Sequence, residues 1–270
     1  MSLSQLRQEI DALDQQLLSL IDKRTSLARN IAAAKKQELD KSGHNDDGSA
    51  PSLLRPDREA ALLRKLLATD RTSVSDAVVV QIWRGLISDS LRLQAEDLGG
   101  LQLYLCQIDQ AETYHHARER LGPSMAMHLV DKPQSAIMAA RDPRHMTVLS
   151  LDPRLGPWWA HLLAEPHVRI VASMPEGVHQ APKALMCAAI SPQPTGHDTT
   201  FYVLDSRDSH QAVLEALSRR GLAGEILAEA KGLRLVSIAG FVEENDERLS
   251  ALGAKGSALS GVIGAAAHIY

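Results

Sequence analysis

Three textures follow one another along this 270-residue chain and predict a multidomain protein. The expected architecture is an all-α three-helix bundle, then a small α/β lobe with a parallel sheet, then a βαββαβ unit of ferredoxin-like topology. Apolar residues recur at steps of three and four up to about residue 96. Short apolar runs alternate with helical stretches from residue 101, and a strand–helix–strand–strand order begins near residue 199. The corresponding domains are 1–98, 101–196 and 197–270.

From Ser4 to about Gln37, Leu6, Ile10, Leu13, Leu17, Leu20, Ile21, Leu27, Ala28, Ile31 and Ala34 describe one long amphipathic helix without Gly or Pro. At 1.5 Å per residue it spans roughly 50 Å, more than a domain of this size covers by itself, so a partner chain is expected on it. The stretch Asp40 to Ser52 collects Gly, Asn, Asp, Ser and Pro and reads as a loop able to close over a site. A second helix starts at Pro56 and runs to about Ala68; a third follows the N-cap Ser75 and continues to Glu96, ahead of Gly99 and Gly100.

Strands are expected at Leu101 to Leu105, Ala126 to Val130, Thr147 to Leu151 and Val168 to Ala172, with helices after the first two. The last unit opens on TTFYVLD, followed by a helix in SHQAVLEALSRRG. Strands in GEILAEA and LRLVSIAGFV, a short helix at NDERLSAL and a strand around VIGAAAHIY complete it. The fold alone says little about activity.

Composition narrows the classes. With 44% hydrophobic and 23% charged residues this is an ordinary soluble globular chain, and a net charge of −4 argues against broad nucleic-acid binding. No apolar run reaches membrane-spanning length, and the N-terminus lacks the apolar core of a signal peptide. Cys106 and Cys187 are the only cysteines, lie outside any CxxC, and read as core packing in a reduced, cytoplasmic protein. His115 and His116 are adjacent and so do not share a helix face as an i,i+4 metal pair does; no metal site is expected.

Against that background, four cations, an acid, a hydroxyl and an amide interrupt or border the apolar stripes of the first three helices: Arg7, Arg24, Lys35, Arg58, Glu59, Ser90 and Gln94. Arg24 and Lys35 are eleven residues apart, three turns plus about 20°, and project from one face. Ser90 and Gln94 form an i,i+4 pair. The pattern predicts a small polyanionic ligand inside a helical bundle, whereas Arg29, Lys36 and Arg64 read as solvated surface charges.

The segments LRQEIDALDQQLLSLIDKR, AAAKK, RPDREAALLRKL and ISDSLRLQ, in that order, resemble the all-helical class of chorismate mutase, whose members are intertwined dimers. The resemblance covers the first hundred residues. It implies the rearrangement of chorismate to prephenate, a unimolecular pericyclic step needing no nucleophile, metal or cofactor. It also implies a homodimer in which Arg7 reaches the neighbouring copy's site. Arg7 and Arg24 would hold the substrate carboxylates, Lys35 and Gln94 would donate to the ether oxygen, Glu59 would accept from the ring hydroxyl, and Arg58 and Ser90 would complete the cradle. Two departures stand out: a longer loop between helices one and two, and Arg55 where some members carry an acid.

The order of the three units is similar to that of the bifunctional mutase and prephenate dehydratase. Here Thr199, Thr200 and Phe201 occupy the place of that family's Thr-Arg-Phe. Without the arginine no dehydratase activity is expected, and the region reads as a shortened, degenerate dehydratase lobe. Residues 197–270 resemble an ACT domain in GFVEENDERLSAL, without the segments by which such domains bind phenylalanine, and read as a structural or dimerising remnant. Two other readings stay open: an isochorismate pyruvate lyase on the same bundle, and a silent sensor of chorismate or an aromatic amino acid.

Overall fold

The structure, a computed structural model, describes residues 1–42, 53–96, 99–108, 110–176, 180–250, 252 and 259–270, with side chains except at 35–42 and 110. Helix α1 is Leu3–Ser42, 40 residues long. It runs past the expected end at Gln37 because QELDKS holds no residue that breaks a helix before Gly43. At 1.5 Å per residue its length is about 60 Å. Helix α2 is Pro56–Leu67, with Pro56 in its first turn, acids Asp57 and Glu59 at its positive end and Arg64 and Lys65 at its negative end. Helix α3 is Asp76–Ala95, and the Ser75 hydroxyl accepts from the Val78 N–H at 3.4 Å, the predicted N-cap. The loop expected at 40–52 to act as a lid falls mostly outside the described residues.

Nine strands then form one sheet: β1 (Gln102–Cys106), β2 (Ala126–Leu129), β3 (His145–Ser150), β4 (Arg169–Met174), β5 (Ala184–Ala188), β6 (Asp198–Asp205), β7 (Gly224–Ala230), β8 (Leu233–Ala239) and β9 (Gly261–Ala267). Helices α4 (Gln110–Leu121), α5 (Pro133–Ala139) and α6 (His210–Ser218) connect them. The order across the sheet is β2-β1-β3-β5-β4-β9-β6-β8-β7. The α/β crossovers make β1, β2 and β3 parallel, as predicted.

Two features differ from the sequence reading. The run ALMCA is a fifth strand, β5, antiparallel to both β3 and β4, so the lobe's sheet is mixed rather than wholly parallel. Its Ala, Met and Cys residues give little strand signal. The β4–β5 connection is also too short for a parallel crossover. Where its residues are described, the helix expected at NDERLSAL is a series of turns and a bend. There the Asp246 carboxylate accepts from the Arg248 N–H at 2.9 Å, and such local bonding competes with helix formation.

In the last third, β9-β6-β8-β7 is an antiparallel ferredoxin-like sheet. It joins the rest through the parallel pairing of Ile170 with Gly264. Gly264 has φ 145°, and a Cβ there would lie 2.3 Å from the Ile170 carbonyl oxygen and 2.4 Å from its nitrogen. Only glycine lets the two backbones approach this closely.

The sheet is covered on both faces. On one, Ile87, Leu91 and Ala95 of α3 and Ala117 and Leu121 of α4 pack on Leu103, Leu105, Val148 and Met186. On the other, Ile137 of α5 and Trp158, Trp159 and Leu162 of a short 3₁₀ segment pack on Leu149, Ile170, Leu185 and Phe201. Helix α1 is different: Leu6, Ile10, Leu13, Leu17, Leu20, Leu27 and Ile31 are all exposed, and Ala28 is its buried residue among those described. Such an apolar stripe marks an interaction face.

Gly264→Ala is expected to lower the free energy of unfolding by about 2 kcal/mol or more. Urea titration checks this, and a change within error would show that the β4–β9 seam yields freely.

Candidate functional site

The seam between α1 and α3 gathers three of the seven sequence-predicted residues. Arg24, half-buried on α1, donates through Nη1 to the Ser90 hydroxyl at 2.7 Å and to the Leu86 carbonyl at 2.9 Å. The Ser90 hydroxyl in turn donates to the Leu86 carbonyl at 2.7 Å, and the Gln94 side-chain amide donates to the Ser90 carbonyl at 3.2 Å. Residues 86, 90 and 94 are spaced by four and present one edge of α3 to α1. Burial pulls the Arg24 pKa below its ordinary value, partly offset by Asp89, and the group stays a cation. A guanidinium whose hydrogen bonds go to neutral oxygens, with Asp89 acting on it only through space, keeps much of its charge for an incoming carboxylate.

The other four lie elsewhere. Lys35 continues the same helix, eleven residues beyond Arg24, with its side chain outside the description. Arg7 is exposed and stands 17 residues before Arg24, about 25 Å away along the axis, too far to meet it within one protomer. Arg58 is exposed in the first turn of α2. Glu59 turns inward and is buried.

Glu59 belongs to a four-membered ionic cluster that the sequence reading did not foresee. Its Oε2 accepts from Arg84 Nη1 of α3 at 2.9 Å and lies 2.8 Å from Arg120 Nη2 of α4. Arg84 also donates through Nε and Nη2 to Glu176, at 3.1 and 2.6 Å, and Arg120 Nε stands 2.7 Å from the same carboxylate. Both arginines are almost fully buried. Two cations and two carboxylates leave no net charge, the condition under which such burial is tolerable. Burial pushes the Glu176 carboxyl up, but Arg120 and Arg84 outweigh it and hold it below the usual range. Arg84 was visible as a cation inside the apolar run VVVQIWRGLI. Its partners sit far along the chain and carry no local signal.

Arg64, read from the sequence as a solvated charge, is a staple. It donates to the His268 carbonyl at 3.0 Å and to the Thr195 carbonyl at 3.2 Å, tying α2 to the end of β9. Ile269 packs beside it against Ala60 and Leu63. The His268 ring meets the Thr199 hydroxyl at 2.6 Å, and burial lowers its pKa. A cavity of about 490 Å³, lined among others by Val80, His116, Arg120, Glu176, Ile269 and Tyr270, adjoins the ionic cluster. Cys106 and Cys187 are buried free thiols; burial, helped by Asp131, raises Cys106 to about 11, and burial alone raises Cys187 further. Neither is a nucleophile at neutral pH. Among the described residues no group of His, Cys, Asp and Glu could hold a metal, and no helix is long and apolar enough to cross a membrane.

Residues 6–95 match the family described as chorismate mutase type II. A bifunctional chorismate mutase/prephenate dehydratase of Pseudomonas aeruginosa is 34% identical over 92 residues. That match takes in 34% of this chain and only 24% of the relative, about a quarter of its length. Two solved structures are distantly similar. One, described as GqqA, a novel type of quorum quenching acylases, has a TM-score of 0.43 at 16% identity, covering 62% of this chain and 94% of its own. The other, a prephenate dehydratase from Streptococcus mutans, has a TM-score of 0.37 at 12% identity, covering 63% and 100%. At these scores the likeness assigns no activity to this chain.

The ionic cluster predicts a particular acid sensitivity. Glu176, with its folded pKa depressed, stabilises the protein above its unfolded pKa and ceases to do so as pH falls through the folded value. His268, also depressed, acts in the same direction because its neutral form is the native one. The melting temperature is therefore expected to fall first as His268 becomes protonated below about pH 6.5 and again below about pH 4.5 as Glu176 does, and the second fall is expected to be smaller in Glu176→Gln. Parallel melting curves for the two proteins would remove Glu176 from the account.

Proposed function

We propose that this chain is a chorismate mutase, converting chorismate to prephenate at a site between α1, α2 and α3 that a second copy completes. The observation that carries the reading is Arg24, held at the α1–α3 seam by Ser90 and Leu86 within the matched residues 6–95. The reaction is one concerted step: the ether C–O bond breaks as a new C–C bond forms within the same molecule, with no proton, nucleophile or cofactor exchanged. The protein's task is to select a compact substrate conformer and to stabilise negative charge on the ether oxygen as the bond opens.

In this reading Arg24 and Arg7 of a second copy hold the two carboxylates, with guanidinium forks that match carboxylate geometry. Lys35 and Gln94 donate to the ether oxygen, where preorganised donors act more strongly on the transition state than on the ground state. Gln94, being an amide, donates without a titrating proton. Glu59 accepts from the ring hydroxyl, and Arg58 and Ser90 complete the carboxylate cradle.

The exposed stripe from Leu6 to Ile31 supports the second copy, because an isologous pair of long helices covers it and carries the start of one helix toward the middle of the other. The region from β1 onward is read as catalytically silent. Thr200 stands where a dehydratase has arginine, and the ACT-like reading of residues 197–270 is that of a structural module.

Purified protein given chorismate is expected to yield prephenate and neither phenylpyruvate nor pyruvate. Lys35→Ala is expected to lower kcat by a factor of about 100 or more, the loss of one charge-stabilising donor. Phenylpyruvate would overturn the silent C-terminal region, pyruvate would favour lyase chemistry, and tight binding without turnover would make the protein a sensor. Mixing inactive Arg7→Ala and Lys35→Ala proteins is expected to recover up to about a quarter of wild-type activity through hybrid dimers. No recovery after subunit exchange would contradict a shared site.

A further inference from the structure

We propose that Arg120, which α4 brings from the sheet-bearing region, is a positioning residue for the mutase site: with Arg84 it fixes Glu59 as the acceptor of the substrate hydroxyl. The inference rests on the mutase reading of Glu59. It makes the N-terminal chemistry depend on a side chain outside the matched residues 6–95.

The geometry is specific. Both cations meet the same oxygen of Glu59: Arg84 Nη1 at 2.9 Å and Arg120 Nη2 at 2.8 Å, both to Oε2. Among the described contacts none meets Oε1, which leaves that atom able to accept. A carboxylate clamped through one oxygen by two cations cannot rotate, so the direction of its second oxygen is set before a ligand arrives. Arg84 is itself pinned by Glu176, which accepts from two of its nitrogens, and Arg120 Nε stands 2.7 Å from the same carboxylate as an ion pair. Helix α4 is held close to α3 by small residues. A Cβ on Gly122, at φ 68°, would lie 3.5 Å from Gly85 Cα, and the Ser88 hydroxyl donates to the Leu121 carbonyl next to Arg120. The register between α3 and α4 therefore fixes where Arg120 meets Glu59.

A cluster that merely held the two regions together would also be buried and neutral, so the test separates position from stability. Steady-state kcat and KM for chorismate, with melting temperature, are measured on the full chain as wild type, R120Q, R120Q/E176Q, E59Q and E59Q/R120Q. R120Q alone leaves a buried negative charge and is expected to melt early. R120Q/E176Q removes one charge of each sign, keeps the Arg84–Glu59 pair, and is expected to melt near the wild type. Its KM for chorismate is nonetheless expected to stay raised by about tenfold, with kcat less affected, because Glu59 has lost half of its clamp. In the E59Q background R120Q is expected to add less than about twofold, since its effect passes through Glu59. Recovery of wild-type kinetics together with stability in R120Q/E176Q, or equal effects of R120Q in both backgrounds, would overturn the inference alone. Absence of prephenate from the wild type would overturn the mutase reading, and the inference with it.

Discussion

Four charged side chains buried at one junction have to neutralise one another, and that requirement ties the helical part of this protein to its sheet. Glu59 comes from α2, Arg84 from α3, Arg120 from α4 and Glu176 from the segment after β4. Removing one member leaves an uncompensated buried charge, which typically costs about 3 to 5 kcal/mol. Neither α2, α3 nor α4 can shift against the sheet without separating a pair. The apolar contacts around the cluster follow the same geometry: Ile269 fills the space between Ala60 and Leu63, and the Gly85–Gly122 approach brings α4 against α3.

Helix α3 is therefore committed on two sides. One edge carries Leu86, Ser90 and Gln94 toward Arg24, while Ile87, Leu91 and Ala95 are buried against the sheet. The residues proposed to shape an anion site thus stand on a helix whose opposite flank is locked by packing, and a rigid element is what preorganised donors need. Among the described residues helix α1 has no such second support. Its apolar stripe is exposed along most of its length, and the same helix bears Arg7, Arg24 and Lys35. In the proposed dimer, an association that covers the stripe also gathers the cations, so stability and the proposed function make the same demand on α1.

What was legible in the sequence was whatever local chemistry determines. The step-of-three-and-four pattern, Pro56 and the Ser75 cap located the three helices to within a few residues, and the i,i+4 spacing of Ser90 and Gln94 placed both on one edge. The α/β alternation announced β1 to β3 and their parallel pairing. What was not legible depended on partners distant in the chain. Arg64 has the local texture of a surface charge, yet its acceptors lie at Thr195 and His268. Arg84, Arg120 and Glu176 acquire meaning only when three elements converge. Strand β5 is a run of small and flexible residues whose extended form comes from its two antiparallel neighbours rather than its own propensity. Glu59, expected to face a ligand, is engaged by two arginines, and no property of α2 alone forecasts that.

If the junction binds the helices to the sheet, the chain unfolds as one cooperative unit despite its change of texture near residue 100. Scanning calorimetry of the full-length wild type and of Glu176→Gln addresses this most directly. The account predicts a single transition for the wild type and, in Glu176→Gln, an earlier and separate transition of the helical part ahead of the sheet. Two well-separated transitions already present in the wild type, or superimposable traces for the two proteins, would contradict it.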